Sequence, residues 1–263
     1  MLEVIDKGCA TASHPVPLLF VHGAYHAAWC WDENFVDYFA DKGFRALAVS
    51  LRGHGQSTRC TPLHSCSIAD YLEDVRAVAD KLGCEPVCPS DTPWGASSCR
   101  STSRSTVPQL QVLMAPATPK GVRRSVLRMV CRHPWIFMRA STFGSSADLV
   151  NTPALAREFL FCGHTPEAIV KSCAARMEPE SARAGLDQMF VRPPKGDRVT
   201  APVLVLGARY DGSRIGDTDV SSTARTYETE AEFFPNMGHN MMLEPGWRDV
   251  ADHICEWLAT KNL

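Results

Sequence analysis

The sequence predicts a doubly wound, mostly parallel α/β sheet with an inserted helical cap. Short apolar runs bounded by turn residues alternate with stretches of helical periodicity along the chain. A long helical stretch also separates two of the predicted strands. The chain has 263 residues, 45% of them hydrophobic, which is enough for one sizeable α/β core.

The predicted strands are short and mostly apolar. Near-continuous apolar runs are typical of parallel strands that are buried on both faces. The strands are Leu2–Ile5, which is weak, then Pro17–Val21, Phe44–Val49, Val112–Ala115, Val203–Leu206 and Ala231–Phe234.

Two helices have clear apolar stripes at helical spacing. The first runs from about Ser67 to Leu82, with Ser67 as the expected N-cap and Gly83 as the expected C-terminal stop. The second runs from about Trp247 to Leu258 and closes the chain.

The stretch 118–197 is predicted to be a helical cap inserted into a core made of residues 1–117 and 198–263. Within it, Thr152-Pro153 and Thr165-Pro166 each predict an N-cap followed by proline at the first helical position. Its apolar side chains either pack the cap or contact an apolar acyl group: Val126, Leu127, Val130, Trp135, Ile136 and Phe137.

Charge and cysteine usage exclude several classes of protein. The formal net charge is -2 with no long run of either sign, which argues against binding nucleic acid or an anionic membrane. No stretch is long and apolar enough for a transmembrane helix, and residues 1–15 lack the apolar region of a secretory signal. The 11 cysteines include no C-x-x-C pair, so we expect reduced cysteines, a cytoplasmic location, and no metal or cofactor.

The loop after the strand Pro17–Val21 is the first candidate for chemistry. Ligands of open α/β sheets bind at the carboxyl edge, where this loop lies. Gly23 allows close backbone approach, and the amide of Ala24 is placed to point at a developing oxyanion. The alternative is an ordinary strand-to-helix turn.

Two further loops supply a candidate acid and base. Asp211 follows the strand Val203–Leu206 and is placed to accept a hydrogen bond from a histidine N–H; Asp217 and Asp219 are weaker rivals. His239 follows the strand Ala231–Phe234, later in the chain than the acid. Either residue alone is also common in a structural turn.

Together these loops resemble a known family. The segments VHGAYHAAWCW, LRGHGQS, VLVLGARYDG and FPNMGHNMMLEPGWRDVADHICEWL are similar to bacterial lysophospholipase-like and esterase-like enzymes of the α/β-hydrolase family. The first segment also resembles plant methylesterases and hydroxynitrile lyases. The resemblance covers nearly the whole chain. It implies serine-type hydrolysis of a small acyl or lipid-like ester, with Ala24 as the oxyanion residue, Asp211 as the acid and His239 as the base.

The nucleophile segment departs from that family. The expected G-x-S-x-G motif after Pro86 is absent, and residues 88–109 contain no Leu, Ile, Phe or Met. Pro89 and Pro93 would lack hydrogen-bond donors in a central strand, where proline is normally excluded. This segment conflicts with the fold that the rest of the chain predicts.

A reading-frame slip is our hypothesis for the conflict. An elbow Gly-His-Ser-Met-Gly written GGA CAC TCC ATG GGN, read one base later, encodes Asp-Thr-Pro-Trp. Those are residues Asp91 to Trp94 in order, and the apolar pattern resumes near Gln111. Resequencing of the gene across these codons tests the hypothesis.

In the chain as written, Ser97 is the best-placed serine, since Gly95 to Cys99 forms half an elbow. Our first expectation is that the written chain has no competent nucleophile. Whether it is an enzyme is therefore open, and the rivals are an inactive hydrolase-fold binding protein and a same-fold lyase. Because the polar segment forfeits core packing, we also expect poor expression or aggregation.

Overall fold

The computed structural model describes residues 1–58, 62–82, 88–90, 110–116, 123–142, 145–190, 201–212 and 216–263. Seven strands in this part of the chain form one sheet: β1 Glu3–Lys7, β2 Leu18–Val21, β3 Ala46–Ser50, β4 Cys88–Ser90, β5 Gln111–Met114, β6 Val203–Ala208 and β7 Ala231–Phe234. Their order is β1-β3-β2-β4-β5-β6-β7. Only the pairing of β1 with β3 is antiparallel. The predicted fold class is confirmed.

Helices connect the strands and cover both faces of the sheet. Those in the described residues are α1 Trp29–Asp32, α2 Phe35–Asp41, α3 Ile68–Leu82, α4 Arg123–Arg132, α5 Pro134–Thr142, α6 Pro153–Leu160, α7 Glu167–Ala175, α8 Ala182–Phe190, α9 Asp217–Thr226 and α10 Trp247–Ala259, with 3₁₀ turns at Leu63–Ser65 and Ser146–Leu149. Helices α4 to α8 lie between β5 and β6, within the stretch predicted as a cap. No helix in the described ranges is long and apolar enough to cross a membrane.

Alternation along β2 and β3 places the core on two sides. Leu19 and Val21 face α3, and they belong to one buried cluster with Val75 of that helix. Leu18 and Phe20 point the other way and join the larger cluster with α2 and α10. Every residue of β2, β3, β5 and β6 is buried, as their continuous apolar runs predict.

Two predicted helix starts are confirmed. The Ser67 hydroxyl accepts from the Asp70 amide at 3.2 Å, and the Asp70 carboxylate accepts from the Ser67 amide at 2.8 Å, which forms a capping box. Thr152 accepts from the Leu155 amide at 3.3 Å ahead of Pro153. Gly83, the expected C-terminal stop of α3, lies outside the described residues.

The predicted N-cap at Thr165 is wrong. Helix α7 begins at Glu167 after Pro166, with no side-chain cap. The Thr165 hydroxyl donates instead to the buried Glu244 carboxylate, and this contact competes successfully with the helix end.

The expectation that Pro89 excludes a central strand is also wrong. Strand β4 lies between β2 and β5, with Pro89 aligned to Val112 and Ser90 aligned to Val21. A strand of three residues loses only one N–H donor to the proline, and its neighbours support it on both sides. Residues 91–109, which include Pro93, Ser97 and the Asp91 to Trp94 sequence, lie outside the described residues.

Candidate active site

The predicted acid and base lie side by side at the carboxyl edge of the sheet. His239 Nδ1 is 2.8 Å from Asp211 Oδ2. The Asp211 side chain is 2% exposed and that of His239 is 16% exposed, so the carboxylate is shielded while the ring reaches toward solvent. Because a carboxylate accepts, Nδ1 carries the proton and Nε2 is the basic nitrogen of the neutral ring.

Backbone hydrogen bonds join the two loops that carry this pair. The Arg209 amide donates to the Phe234 carbonyl and the Tyr210 amide donates to the Met237 carbonyl, both at 3.0 Å. Strands β6 and β7 are parallel neighbours, so their loops leave the sheet at the same edge. The pairing of the strands therefore continues into the loops and fixes their relative position.

A glycine flanks each member of the pair because both loops press against the end of α6. A Cβ on Gly212 would lie 1.9 Å from the Glu158 carbonyl oxygen, and one on Gly238 would lie 2.5 Å from the Phe161 carbonyl carbon. The Asn240 amide also donates to the Leu160 carbonyl at 2.9 Å. Only a residue without a side chain permits this approach.

A fully buried carboxylate, Glu244, holds the histidine loop. Its Oε1 accepts from the amides of Gly238 at 2.9 Å and Cys162 at 2.7 Å, and its Oε2 accepts from the Thr165 hydroxyl at 2.5 Å. Three donors compensate the burial of the carboxylate. Sequence reasoning missed Glu244, although an acid directly after Met241, Met242 and Leu243 is a signal that could have found it.

The loop after β2 is held by His22, which is 1% exposed. Its Nδ1 donates to the Gly23 carbonyl at 2.8 Å and its Nε2 accepts from the Leu51 amide at 3.0 Å. Burial is the main cause that holds the pKa of His22 well below its ordinary value, and the neighbouring His54 adds to it. The ring is therefore neutral. In a trans peptide the carbonyl and the next N–H point in opposite directions, so this contact orients the amide of Ala24.

His26 links this loop to the histidine loop. Its Nδ1 donates to the Ala24 carbonyl at 2.9 Å, and its Nε2 accepts from Asn240 Nδ2 at 3.1 Å. The ring is 2% exposed, and burial lowers the pKa of His26 to about 4. Tyr25, which lies between Ala24 and His26 in the chain, has a φ of 67°. This left-handed conformation costs a non-glycine residue about 1–2 kcal/mol. The loop is thus held in a specific conformation next to His239.

A cavity beside this loop is separate from the acid–base pair. Its lining in the described part of the chain includes His22, Ala24, Tyr71 and Glu180, and neither His239 nor Asp211. The Tyr71 hydroxyl donates to Glu180 Oε1 at 2.7 Å.

The structure brings together three of the four predicted site residues at one edge. Ala24 follows β2, Asp211 follows β6 and His239 follows β7, and these strands all run in the same direction. The rival Asp217 pairs with Arg209 and lies at the start of α9. The fourth residue, Ser97, lies outside the described residues.

Comparison with known proteins identifies the family. Residues 18–253 match the Alpha/beta hydrolase family. The chain belongs to this family. A bifunctional esterase/perhydrolase DCH from Acinetobacter calcoaceticus is 33% identical over 82 residues, which is 31% of this chain and 28% of that protein. The matched region thus spans little more than a quarter of the length of this relative.

Two solved structures are similar over nearly their whole length. A thermophilic esterase from Thermogutta terrifontis superimposes with a TM-score of 0.74 at 20% identity, covering 100% of this chain and 94% of the other. A carboxylesterase structure from Nitrososphaera gargenis gives 0.73 at 17% identity, with coverage of 100% and 96%. At this level of identity the likeness shows the α/β-hydrolase fold.

Proposed function

We propose that this α/β hydrolase is a serine-type ester hydrolase acting on a small acyl or lipid-like ester. The observation that carries the proposal is the contact of 2.8 Å between His239 Nδ1 and Asp211 Oδ2 at the carboxyl edge of the sheet. A buried carboxylate bonded to an imidazole that faces solvent is the arrangement that acyl transfer requires. The esterase names of several similar proteins support the same class of reaction.

In the proposed reaction, His239 Nε2 takes the proton of the attacking hydroxyl as the nucleophile adds to the ester carbonyl. Asp211 stabilises the imidazolium that forms. The amide of Ala24, oriented through His22, donates to the oxyanion of the tetrahedral intermediate. Collapse transfers the proton from His239 to the leaving alcohol, and water then hydrolyses the acyl-enzyme by the same route in reverse.

Ser97 is the proposed nucleophile, because the sequence around it preserves half of the usual elbow. The free cysteines support a cytoplasmic location as part of this proposal. Seven cysteines of the described residues are present as thiols, and four of these are buried: Cys30, Cys66, Cys162 and Cys173.

Hydrolysis of p-nitrophenyl esters over a range of acyl lengths tests the proposal. His239→Ala and Ser97→Ala are each expected to lower kcat/KM by about 10³-fold or more, and Asp211→Asn by a similar factor, because the three groups act as a unit. The matched control is His64→Ala, since His64 is exposed and lies in the 3₁₀ turn Leu63–Ser65, outside the three loops that carry Ala24, Asp211 and His239. Turnover that survives His239→Ala would contradict the proposal.

The absence of G-x-S-x-G favours a second candidate, an inactive hydrolase-fold protein that binds a ligand. Labelling with a fluorophosphonate probe, followed by peptide mapping, distinguishes the two candidates. Labelling of Ser97 supports the hydrolase. A third result would support loss of the nucleophile by a reading-frame slip. In that case the written chain shows neither labelling nor turnover, and the product of a frame-corrected gene shows both.

A further inference from the structure

The outer faces of α4 and α5 combine exposed apolar and cationic side chains. Trp135 is 75% exposed, Leu127 63% and Met138 49%. Large hydrophobics this exposed are unusual on a water-facing surface, and these three lie within twelve residues of each other in sequence. Leu127 and Trp135 were expected to pack the cap or contact an acyl group, but they point outward. We name this set, together with the arginines between and beside its members, the cap outer surface: Arg123, Leu127, Arg128, Arg132, Trp135, Met138 and Arg139.

The sequence stretch that contains α4 and α5 carries only positive charges. Residues 116–147 contain six of the 27 lysines and arginines of the chain and no Asp or Glu, although the chain as a whole has a net charge of -2. Arg132 pairs with Glu158 at 2.7 Å and Arg139 with Asp148 at 3.2 Å, and both acids come from outside the stretch. The two arginine side chains remain 56% and 70% exposed. The small net charge of the chain thus conceals a local cationic surface.

The inner faces of the same helices are anchored to the protein. Met129, Ile136 and Phe137 are partly buried and pack against the main core cluster. The exposed Leu127, Trp135 and Met138 therefore lie at the surface of helices whose other faces are held by this packing.

We propose that the cap outer surface docks the protein onto an anionic lipid surface. Tryptophan prefers the headgroup region of a bilayer, where its ring is apolar and its N–H is polar. Arginines next to it are attracted by anionic headgroups. Interleaved apolar and basic residues on helices lying flat are the pattern of interfacial binding. Exposed leucine and methionine favour lipid over the charged backbone of a nucleic acid, because the acyl chains of a lipid can bury them. The proposal does not depend on ester hydrolysis.

Sedimentation with phosphatidylcholine vesicles, with and without phosphatidylglycerol, tests the proposal on the full chain. Binding is expected only with the anionic lipid and is expected to weaken in high salt, because salt screens the arginines. Each of Arg123→Glu and Arg128→Glu is expected to weaken binding by roughly fivefold or more, and Trp135→Ser by roughly tenfold. The matched controls are Arg225→Glu on α9 and Leu186→Ser on α8, which alter exposed residues elsewhere and should leave binding unchanged.

Quenching of tryptophan fluorescence by brominated lipid provides a second measurement that needs no destabilising substitution. Trp135 is the most exposed tryptophan of the described residues, so strong quenching that is absent from Trp135→Phe supports the proposal. No binding to anionic vesicles would overturn it. So would a dimer that Trp135→Ser dissociates, which would assign the surface to a second copy, or stronger binding to RNA than to vesicles. None of these outcomes bears on the ester-hydrolase proposal.

Discussion

Two loops at the same edge of the sheet are fixed by different chemistry. The loop after β2 is tied by His22 and His26, whose buried rings are neutral. The loop after β7 is tied by the buried carboxylate of Glu244. Burying a neutral ring costs less free energy than burying a carboxylate, but the hydrogen bonds of the ring are weaker. A carboxylate forms stronger, charge-assisted hydrogen bonds, and its removal leaves more buried donors without an acceptor. In addition to the bonds of Met237 and Asn240, the loop of the proposed base is held by one buried carboxylate, whereas the loop of the proposed oxyanion donor is held by two buried rings.

The largest effect is expected from Glu244→Ala. It deprives the Gly238 and Cys162 amides and the Thr165 hydroxyl of their acceptor, and each buried donor left unpaired costs about 1–3 kcal/mol. The free energy of unfolding, measured by urea titration, should fall by about 3–5 kcal/mol. The exposed Glu230→Ala is the control and should change it by less than about 0.5 kcal/mol. A similar small change in Glu244→Ala would show that the carboxylate does not hold the loop.

Acidification should weaken the loop after β2. The pKa of His26 is about 4 in the folded protein and near 6.5 when unfolded, so above pH 6.5 neither state binds the proton. As the pH falls from 6.5 to 4, only the unfolded state is protonated, and the free energy of unfolding should decrease by about 3 kcal/mol from this residue. His22 acts in the same direction.

Urea titrations at pH 7, 5.5 and 4 check this expectation with His26→Gln beside the parent chain. The variant should lose less stability than the parent over this range, because glutamine does not titrate. In His64→Gln, which replaces an exposed histidine, the free energy of unfolding should change with pH as it does in the parent chain. If the free energy of unfolding fell equally with pH in His26→Gln and in the parent, His26 would not be buried in its neutral form.

Gly212→Ala should have a smaller effect, and it acts on the loop of the proposed acid. The added methyl would meet the Glu158 carbonyl oxygen at 1.9 Å, so the acid loop must move away from α6. We expect a loss of about 2 kcal/mol in the free energy of unfolding. Gly163→Ala is the control, since nothing lies within 4 Å of its new Cβ. If the two variants melt at the same temperature, the loop is not in close contact with α6.

The sequence predicted the parts of the structure that depend on local pattern. The apolar runs at β2, β3, β5, β6 and β7 and the apolar stripes of α3 and α10 need only neighbouring residues to be recognised. The Asp211–His239 contact followed from two strands ending at one edge, because parallel pairing determines where loops meet.

The supports of the site were not predictable in this way, because their partners are distant in sequence. Glu244 bonds Thr165 from 79 residues away, and Asn240 bonds His26 from 214 residues away. The same distance explains the wrong N-cap at Thr165, whose local Thr-Pro signal was overridden by a buried carboxylate. Pro89 was misjudged because the rule against proline in a central strand takes no account of support from both neighbours.

The close approach of both loops to the end of α6 also determines which helices can open independently. The Leu160 carbonyl and the Cys162 amide are bonded to Asn240 and Glu244, so this end of α6 cannot separate from the sheet unless the histidine loop moves too. In hydrogen-exchange terms, the Cys162 amide belongs to the same cooperative unit as the edge of the sheet.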